Sequence, residues 1–218
     1  MRRPKMSWQK RKSELKRDLC NVIVRVEALK FGAFTLPSGR LTPYHVDLQL
    51  VSGFPEAFKK IIDMYAEVAR NEIGLGSFDR VAGIPVTGIS FSSVLSYMLS
   101  KPFLYVRREI KSPGRERRVE GLLNPGDTIL LADDFIATGG NLVAATDALR
   151  SEGGLVKDAI VLIDREEGGE EALERVDVKL HSLLKISEAA KIMYDMEIIT
   201  REQLDIILKQ VKRNIVKN

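Results

Sequence analysis

Two adjacent carboxylates, Asp133 and Asp134, follow directly on the apolar run Thr128-Ile-Leu-Leu-Ala132. After them come Phe135, Ile136, Ala137, Thr138, Gly139, Gly140 and Asn141, small residues for the most part. A short apolar run of this kind reads as a buried strand, and the small residues as a loop that opens a helix. In an open α/β sheet, ligands sit beyond the carboxyl ends of the strands. A glycine-containing loop placed there offers free backbone N–H groups, and the helix dipole adds positive potential, so a phosphate fits. Thr138 and Asn141 add side-chain donors. Asp133 and Asp134 would repel that phosphate and suit sugar hydroxyls or a hydrated divalent cation instead. The implied ligand carries both ribose hydroxyls and a phosphate. The plainer alternative is an Asp pair that ends a strand and caps the next helix. The strand before it and the Ala-Thr-Gly-Gly loop after it weigh against that. Other phosphate motifs fail: no Gly-Lys-Ser/Thr closes a P-loop, and Gly74-Leu-Gly76 lacks the third glycine of a dinucleotide fingerprint.

The elements that position these residues follow from the alternation of short apolar runs with helical patterns. Val81–Ile84, Pro102–Val106, Thr128–Ala132, Ala159–Ile163 and Val178–Leu180 read as strands. Helical stretches lie near Ile89–Leu99, Asn141–Glu152 and Glu170–Arg175. This order predicts an α/β fold with a mostly parallel central sheet flanked by helices. Asn124-Pro-Gly-Asp127 marks a turn before a strand, and Gly153-Gly154 ends the preceding helix. Thr200-Arg-Glu-Gln203 has capping-box spacing, with Ile199 and Leu204 as its staple and Leu204, Ile207, Leu208 and Val211 on one apolar face. Thr87, Arg107, Asp133 and Arg165 all fall at or just after the carboxyl end of an expected strand, as a single cleft requires.

Of the 218 residues, 44% are hydrophobic and 29% charged, the balance of a soluble globular chain, and no apolar run nears the roughly 18 residues of a membrane span. The single cysteine, Cys20, excludes an internal disulfide framework, and a cytoplasmic setting is expected. The net charge of +4 gathers in two places. Arg2, Arg3, Lys5, Lys10, Arg11, Lys12, Lys16 and Arg17 read as a frayed or solvated helix face without a specific partner. Arg107, Arg108, Lys111, Arg115, Arg117 and Arg118 stand beside the expected cleft. His181, a lone imidazole, reads as structural.

The segment Ile129–Asn141 resembles the phosphoribosyl pyrophosphate motif of type I phosphoribosyltransferases. Other segments resemble the orotate phosphoribosyltransferases among them. Phe34-Thr-Leu-Pro-Ser38-Gly39-Arg-Leu-Thr-Pro43-Tyr44 is similar to their N-terminal signature. Tyr105-Val-Arg107-Arg108-Glu-Ile-Lys111, with Arg118-Val-Glu120-Gly121, is similar to their mobile catalytic loop. Asp164-Arg165-Glu-Glu-Gly168-Gly169 resembles their base-binding segment, and His181-Ser-Leu-Leu their last strand.

That resemblance implies transfer of a phosphoribosyl group from phosphoribosyl pyrophosphate to orotate, in pyrimidine nucleotide (UMP) biosynthesis. Asp133 and Asp134 would take the ribose hydroxyls. Phe135 and Ile136 would belong to the donor's binding segment, and Ala137, Thr138, Gly139, Gly140 and Asn141 would hold its 5′-phosphate. Arg107, Arg108 and Lys111 would act on the pyrophosphate, with Thr87 and Gly88 in the loop Gly83-Ile-Pro-Val-Thr87-Gly88. Arg165 would pair with the orotate carboxylate through two parallel hydrogen bonds, with Ala137 and Tyr44 beside the base. Arg165 paired with Glu166 or Glu167 is the structural alternative. Mg²⁺ is implied near Asp133 and Asp134 through substrate and water, without direct protein ligands. A homodimer is implied in which the Lys111 loop completes the neighbour's site.

The expected layout is a type I phosphoribosyltransferase-like fold. It has an N-terminal helix and hood over residues 1–45, a core over 46–185 and a C-terminal helical extension over 186–218, in one compact domain. Three positions depart from the family pattern. Ala137 replaces a base-holding threonine, Pro113 a loop histidine or tyrosine, and Pro37 a lysine found in some members. Ala137 leaves open a transferase for another base. The basic N-terminus leaves open a non-catalytic regulator that senses phosphoribosyl pyrophosphate and meets nucleic acid, although the segment before Phe31 is short for a helix-turn-helix domain.

Overall fold

The computed structural model describes residues 6–35, 41–108 and 117–215. Helix α1 (Trp8–Arg25) starts at Ser7, whose Oγ accepts from the Lys10 amide, and buries Leu15, Leu19, Cys20, Val22 and Ile23. Strands β1 (Leu29–Thr35) and β2 (Leu41–Val46) form an antiparallel pair apart from the main sheet. Helix α2 (Pro55–Val68) begins with proline, which lacks the N–H that a first turn leaves unpaired anyway.

Next in the chain come β3 (Arg80–Gly83), α3 (Thr87–Leu99), β4 (Phe103–Val106), β5 (Val119–Glu120), β6 (Thr128–Ala132) and β7 (Phe135–Ile136). The remainder is α4 (Gly140–Ser151), β8 (Leu155–Asp164), α5 (Gly169–Glu174), β9 (Lys179–Lys185), α6 (Ile186–Asp195) and α7 (Arg201–Ile215). Seven strands make the main sheet, in the order β5-β4-β3-β6-β8, with β7 and β9 both pairing β8. Every pairing is parallel except β4 with β5. The expected α/β architecture is therefore present.

Alternation along the strands divides the core into two layers, one on each face of the sheet. Leu130 and Ala132 of β6, with Ile160 and Leu162 of β8, face the layer shared by α1, α2, α3, α6 and α7. Ile129 and Leu131, with Ala159 and Val161, face the layer of α4 and α5. Strands covered on both sides read as unbroken apolar runs, which is why the sequence announces them.

The expected strand over Ala159–Ile163 begins earlier, at Leu155, because Lys157 and Asp158 interrupt the apolar run without ending the ladder. Likewise β9 runs on to Lys185. At the C-terminus the reciprocal cap is in place: Thr200 Oγ1 accepts from the Gln203 amide at 3.2 Å, and Gln203 Oε1 from the Thr200 amide at 2.9 Å.

The solvated N-terminal face is overturned in part. Arg11 pairs with Glu67, Lys12 with Glu72 and Lys16 with Glu188, at 2.6, 2.6 and 2.7 Å. These carboxylates lie on the elements against which α1 docks, a relation between distant segments that local sequence does not reveal. Lys10 and Arg17 are exposed as expected, and Arg2, Arg3 and Lys5 lie outside the described residues. His181 is structural as expected: its Nε2 lies 2.8 Å from Asp158 and its Nδ1 3.8 Å from Glu72. Burial alone would raise the Glu72 carboxyl, but His181, Lys12 and Trp8 outweigh it and hold the group at about 2. No helix among the described residues is long and apolar enough to cross a membrane.

Candidate active site

The carboxyl ends of β3 and β6 open on one cavity of about 240 Å³. Its wall is Pro85, Val86 and Thr87 at the start of α3, Arg108 after β4, and the unbroken segment Asp133 to Leu142. The Pro85–Val86 peptide is cis. Thus Asp133, Asp134, Phe135, Ile136, Ala137, Thr138, Gly139, Gly140, Asn141 and Thr87 meet as the sequence predicted, and Gly88 packs directly behind them. A Cβ on Gly88 would lie 2.5 Å from Asp133 Oδ1, so only glycine lets α3 approach the carboxylate this closely.

Two helices point their N-termini at this space. Helix α4 starts at Gly139, held at φ 82°, with no side-chain cap and no acid in its first turn. The Asp pair therefore does not cap α4, which removes the plainer reading of these residues. Helix α3 starts without a side-chain cap as well. Unpaired first-turn amides and aligned dipoles make both ends attractive to an anion.

The carboxylates sit in the opposite kind of environment. Burial first, then the adjacent Asp134 carboxylate, pushes Asp133 well above the ordinary carboxylate range. Burial also raises Asp134, opposed by hydrogen bonds from Asp133, from main-chain amides and from Thr87. Burial thus disfavours charge on both carboxyl groups, the more so because they are adjacent. Asp134 O accepts from the Leu162 amide at 3.1 Å, and the Asp133 amide donates to Ile160 O at 3.1 Å, fixing the turn to β8.

Other predicted residues stand elsewhere. Arg108 lines the cavity, its Nη2 donating to Pro85 O at 3.0 Å. Arg107, its neighbour, is not in the cavity wall. It lies 3.3 Å from Glu120 and donates to Arg117 O at 2.6 Å, because β5 folds back beside β4 and brings both partners to it. Lys111, Pro113, Pro37, Ser38 and Gly39 lie outside the described residues.

Arg165 and Tyr44 are not in the wall either. Arg165 is 2% exposed and lies beneath the rings of Tyr44 and Phe135, at 5.3 and 5.8 Å. Its Nη2 is 2.9 Å from the buried Glu167 carboxylate, the ion pair weighed as the structural alternative. The buried Tyr44 hydroxyl lies against the Arg165 guanidinium, and Arg165 Nε meets no well-aligned acceptor among the described residues. Buried polar groups in native proteins are nearly always hydrogen-bonded, to protein, water or a bound molecule. Two features escaped the sequence reading. Leu142 joins the wall, and Tyr65 on α2 donates from its hydroxyl to Asp133 O at 2.6 Å. Leu142 simply extends the motif by one residue, whereas Tyr65 is joined to Asp133 only by the tertiary fold, and no local pattern marks it.

Comparison with known proteins agrees with this geometry. Residues 54–189 match the model of the phosphoribosyl transferase domain. The chain is 36% identical to the orotate phosphoribosyltransferase of Cenarchaeum symbiosum, over 85% of this chain and 90% of that protein. Its fold is similar to the crystal structure of orotate phosphoribosyltransferase from Aeropyrum pernix. There the TM-score is 0.73 at 31% identity, covering 84% of this chain and 99% of that one. It also resembles Leishmania donovani UMP synthase, with a TM-score of 0.82 at 28% identity, covering 91% of this chain but 42% of the longer one. With these relatives and a family model that spans most of it, the chain belongs to the phosphoribosyltransferase family, among the orotate phosphoribosyltransferases.

Proposed function

We propose that the cavity binds phosphoribosyl pyrophosphate and that the chain transfers its 5-phosphoribosyl group to orotate, giving orotidine 5′-monophosphate and pyrophosphate. One observation carries this reading: a buried carboxylate pair and two uncapped helix N-termini face the same small space. Ala137 through Asn141 hold the 5′-phosphate on amide donors at the start of α4. Asp133 and Asp134 take the ribose hydroxyls. Arg108 receives the pyrophosphate beside Thr87 and Gly88, and Lys111 and Arg107 add charge to it from the loop that follows β4. Arg165 offers its guanidinium to the orotate carboxylate, with Tyr44 and Ala137 on the base side. Arg165 Nε, without a well-aligned acceptor among the described residues, supports that role, since a ligand carboxylate would satisfy it.

Charge governs the mechanism. As the bond to pyrophosphate stretches, positive charge grows on the ribose and negative charge on the leaving group. Fixed cations aimed at the leaving group stabilise that state more than the ground state. Orotate is nucleophilic as its anion, so no dedicated general base is needed. Water must be excluded, a task for the loop bearing Lys111.

A divalent cation fits the site. The described residues hold no cluster of three or more acidic, histidine or cysteine side chains. Mg²⁺ takes one or two carboxylates and completes its shell with water and substrate phosphates, which Asp133 and Asp134 permit. When bound, it neutralises charge on the pyrophosphate oxygens. We read the assembly as a homodimer whose Lys111 loops reach the neighbouring cavity. A cytoplasmic location belongs to the same reading.

The test is direct. Protein, Mg²⁺, orotate and phosphoribosyl pyrophosphate together should deplete orotate absorbance, and well-folded protein that remains inert would end the proposal. Ala137 in the cavity wall, lacking a threonine hydroxyl, favours one second reading: transfer to another base. A panel of pyrimidines and purines decides between them. Three of the basic residues behind the nucleic-acid reading, Arg11, Lys12 and Lys16, are engaged in ion pairs within the chain.

A further inference from the structure

The carboxylate pair stands on a turn, and a turn between a strand end and a loop needs something to hold it. Toward α3 the brace is Gly88, whose missing side chain lets the helix close on Asp133. Toward β8 it is the pair of main-chain bonds at Asp133 N and Asp134 O. The remaining support comes from a distant element. Tyr65, 1% exposed, rises from α2 between the core and the turn. Its ring lies 6.0 Å from that of Phe91, which in turn stacks 5.4 Å from Phe58. Its hydroxyl alone leaves this apolar cluster, to donate to the Asp133 carbonyl at 2.6 Å.

We propose that Tyr65 is a positioning residue for the phosphoribosyl donor, anchoring the Asp133 carbonyl so that both carboxylates face the ribose hydroxyls. This rests on the reading of the cavity as the ribosyl site. Phenylalanine would fill the same volume, so packing does not require the hydroxyl; the bond to the turn does. A hydroxyl so deeply buried also needs a partner, and it takes one whose placement sets the catalytic geometry. Burial, then the charges of Asp134 and Asp133, hold the Tyr65 phenol well above the usual tyrosine range. It thus remains a neutral donor across the working pH of the enzyme. Carboxylates that must each meet a hydroxyl within hydrogen-bond reach tolerate little displacement, and losses of about 1 Å at such sites cost on the order of 100-fold. One buried hydrogen bond to the backbone has a smaller effect, spread over a turn with other supports.

The experiment uses the full chain with Tyr65→Phe. The KM for phosphoribosyl pyrophosphate should rise roughly 3- to 10-fold, the equivalent of one net hydrogen bond, while the KM for orotate stays within about twofold. Phe58→Leu is the control: it loosens the same aromatic cluster without touching the turn, lowering Tm and leaving the donor KM unchanged. An unchanged donor KM in Tyr65→Phe, or an equal rise in Phe58→Leu, overturns the proposal. Should Tyr65→Phe fail to fold, 3-fluoro- and 3,5-difluorotyrosine at position 65 replace it. Their phenols are progressively stronger donors of nearly the same shape, so the donor KM should shift stepwise while the orotate KM is flat. No dependence on donor strength overturns the proposal equally. Wild-type protein inert toward orotate and donor would instead remove the functional reading itself, and the two failures are thereby told apart.

Discussion

The two halves of the candidate site differ in how they are built. The half proposed for the phosphates comes mainly from one segment, Asp133 to Leu142, with Pro85 to Thr87 and Arg108 completing it, and stands open around a cavity. The base half gathers Tyr44 from β2, Phe135 from β7, and Arg165 and Glu167 after β8, and it is closed. In the first, helix ends and glycines present amides to a ligand. In the second, a guanidinium is sealed against a carboxylate beneath two rings. A preformed half can receive the donor at once, whereas the base half must rearrange to admit a planar acid. Donor binding before base binding is the expectation that follows from the difference.

The largest predicted effect breaks the phosphate half. Asp133→Asn should lower kcat/KM for the donor by on the order of 10²–10³, as for loss of one charged group in a preorganised site. The same variant should be more stable. Because the folded protein holds the Asp133 proton more tightly than the unfolded chain, stability falls as pH rises from the ordinary aspartate value of 3.8 through the raised folded value. Asparagine carries no such penalty, so Tm should rise at neutral pH; a lower Tm would contradict the burial argument. For the wild type, donor affinity should strengthen as pH rises through this titration, with a proton released on binding that calorimetry in two buffers can measure.

Next in size is the base half. Glu167→Ala leaves a buried guanidinium without its carboxylate, a loss of about 3–5 kcal/mol for such pairs, visible as a lower denaturant midpoint. Replacing both partners with methionine should restore most of that stability yet abolish orotate binding, with donor binding intact. If donor binding falls equally, the two halves are not separable. Ala137→Thr sits on the border between them and should change orotate KM by roughly 3- to 10-fold, one hydrogen bond's worth. The smallest effect lies outside both: Thr200→Ala should cost about 1 kcal/mol through the lost helix cap, with kinetics unchanged.

The same contrast explains what the sequence made legible. Asp133 to Asn141 could be read because strand, carboxylates, loop and helix start are consecutive, so spacing alone places them. Thr128–Ala132 was legible to the residue, being apolar on both faces. Arg107 and Arg165 were assigned to the correct sheet edge; Glu167 was weighed as a partner for Arg165, but Glu120 was not foreseen for Arg107. Their direction depends on Glu120, Glu167 and Tyr44, which the fold brings from elsewhere. Tyr65 gave no signal at all, since its partner lies across the core. The basic face of α1 misled for the same reason, its acids standing on α2, the turn after it and α6.

One joint ties the halves together. Gly139 at the head of α4 abuts Gly169 and Ala172 at the head of α5, and a methyl on Gly169 would lie 2.6 Å from the Ala137 carbonyl. The main chain that opens α4 and the main chain that follows Arg165 therefore pack directly on each other, with no room for a side chain between them. Any retuning of this enzyme toward a new acceptor is confined to the rings and side chains around that seam, while the seam itself must stay bare.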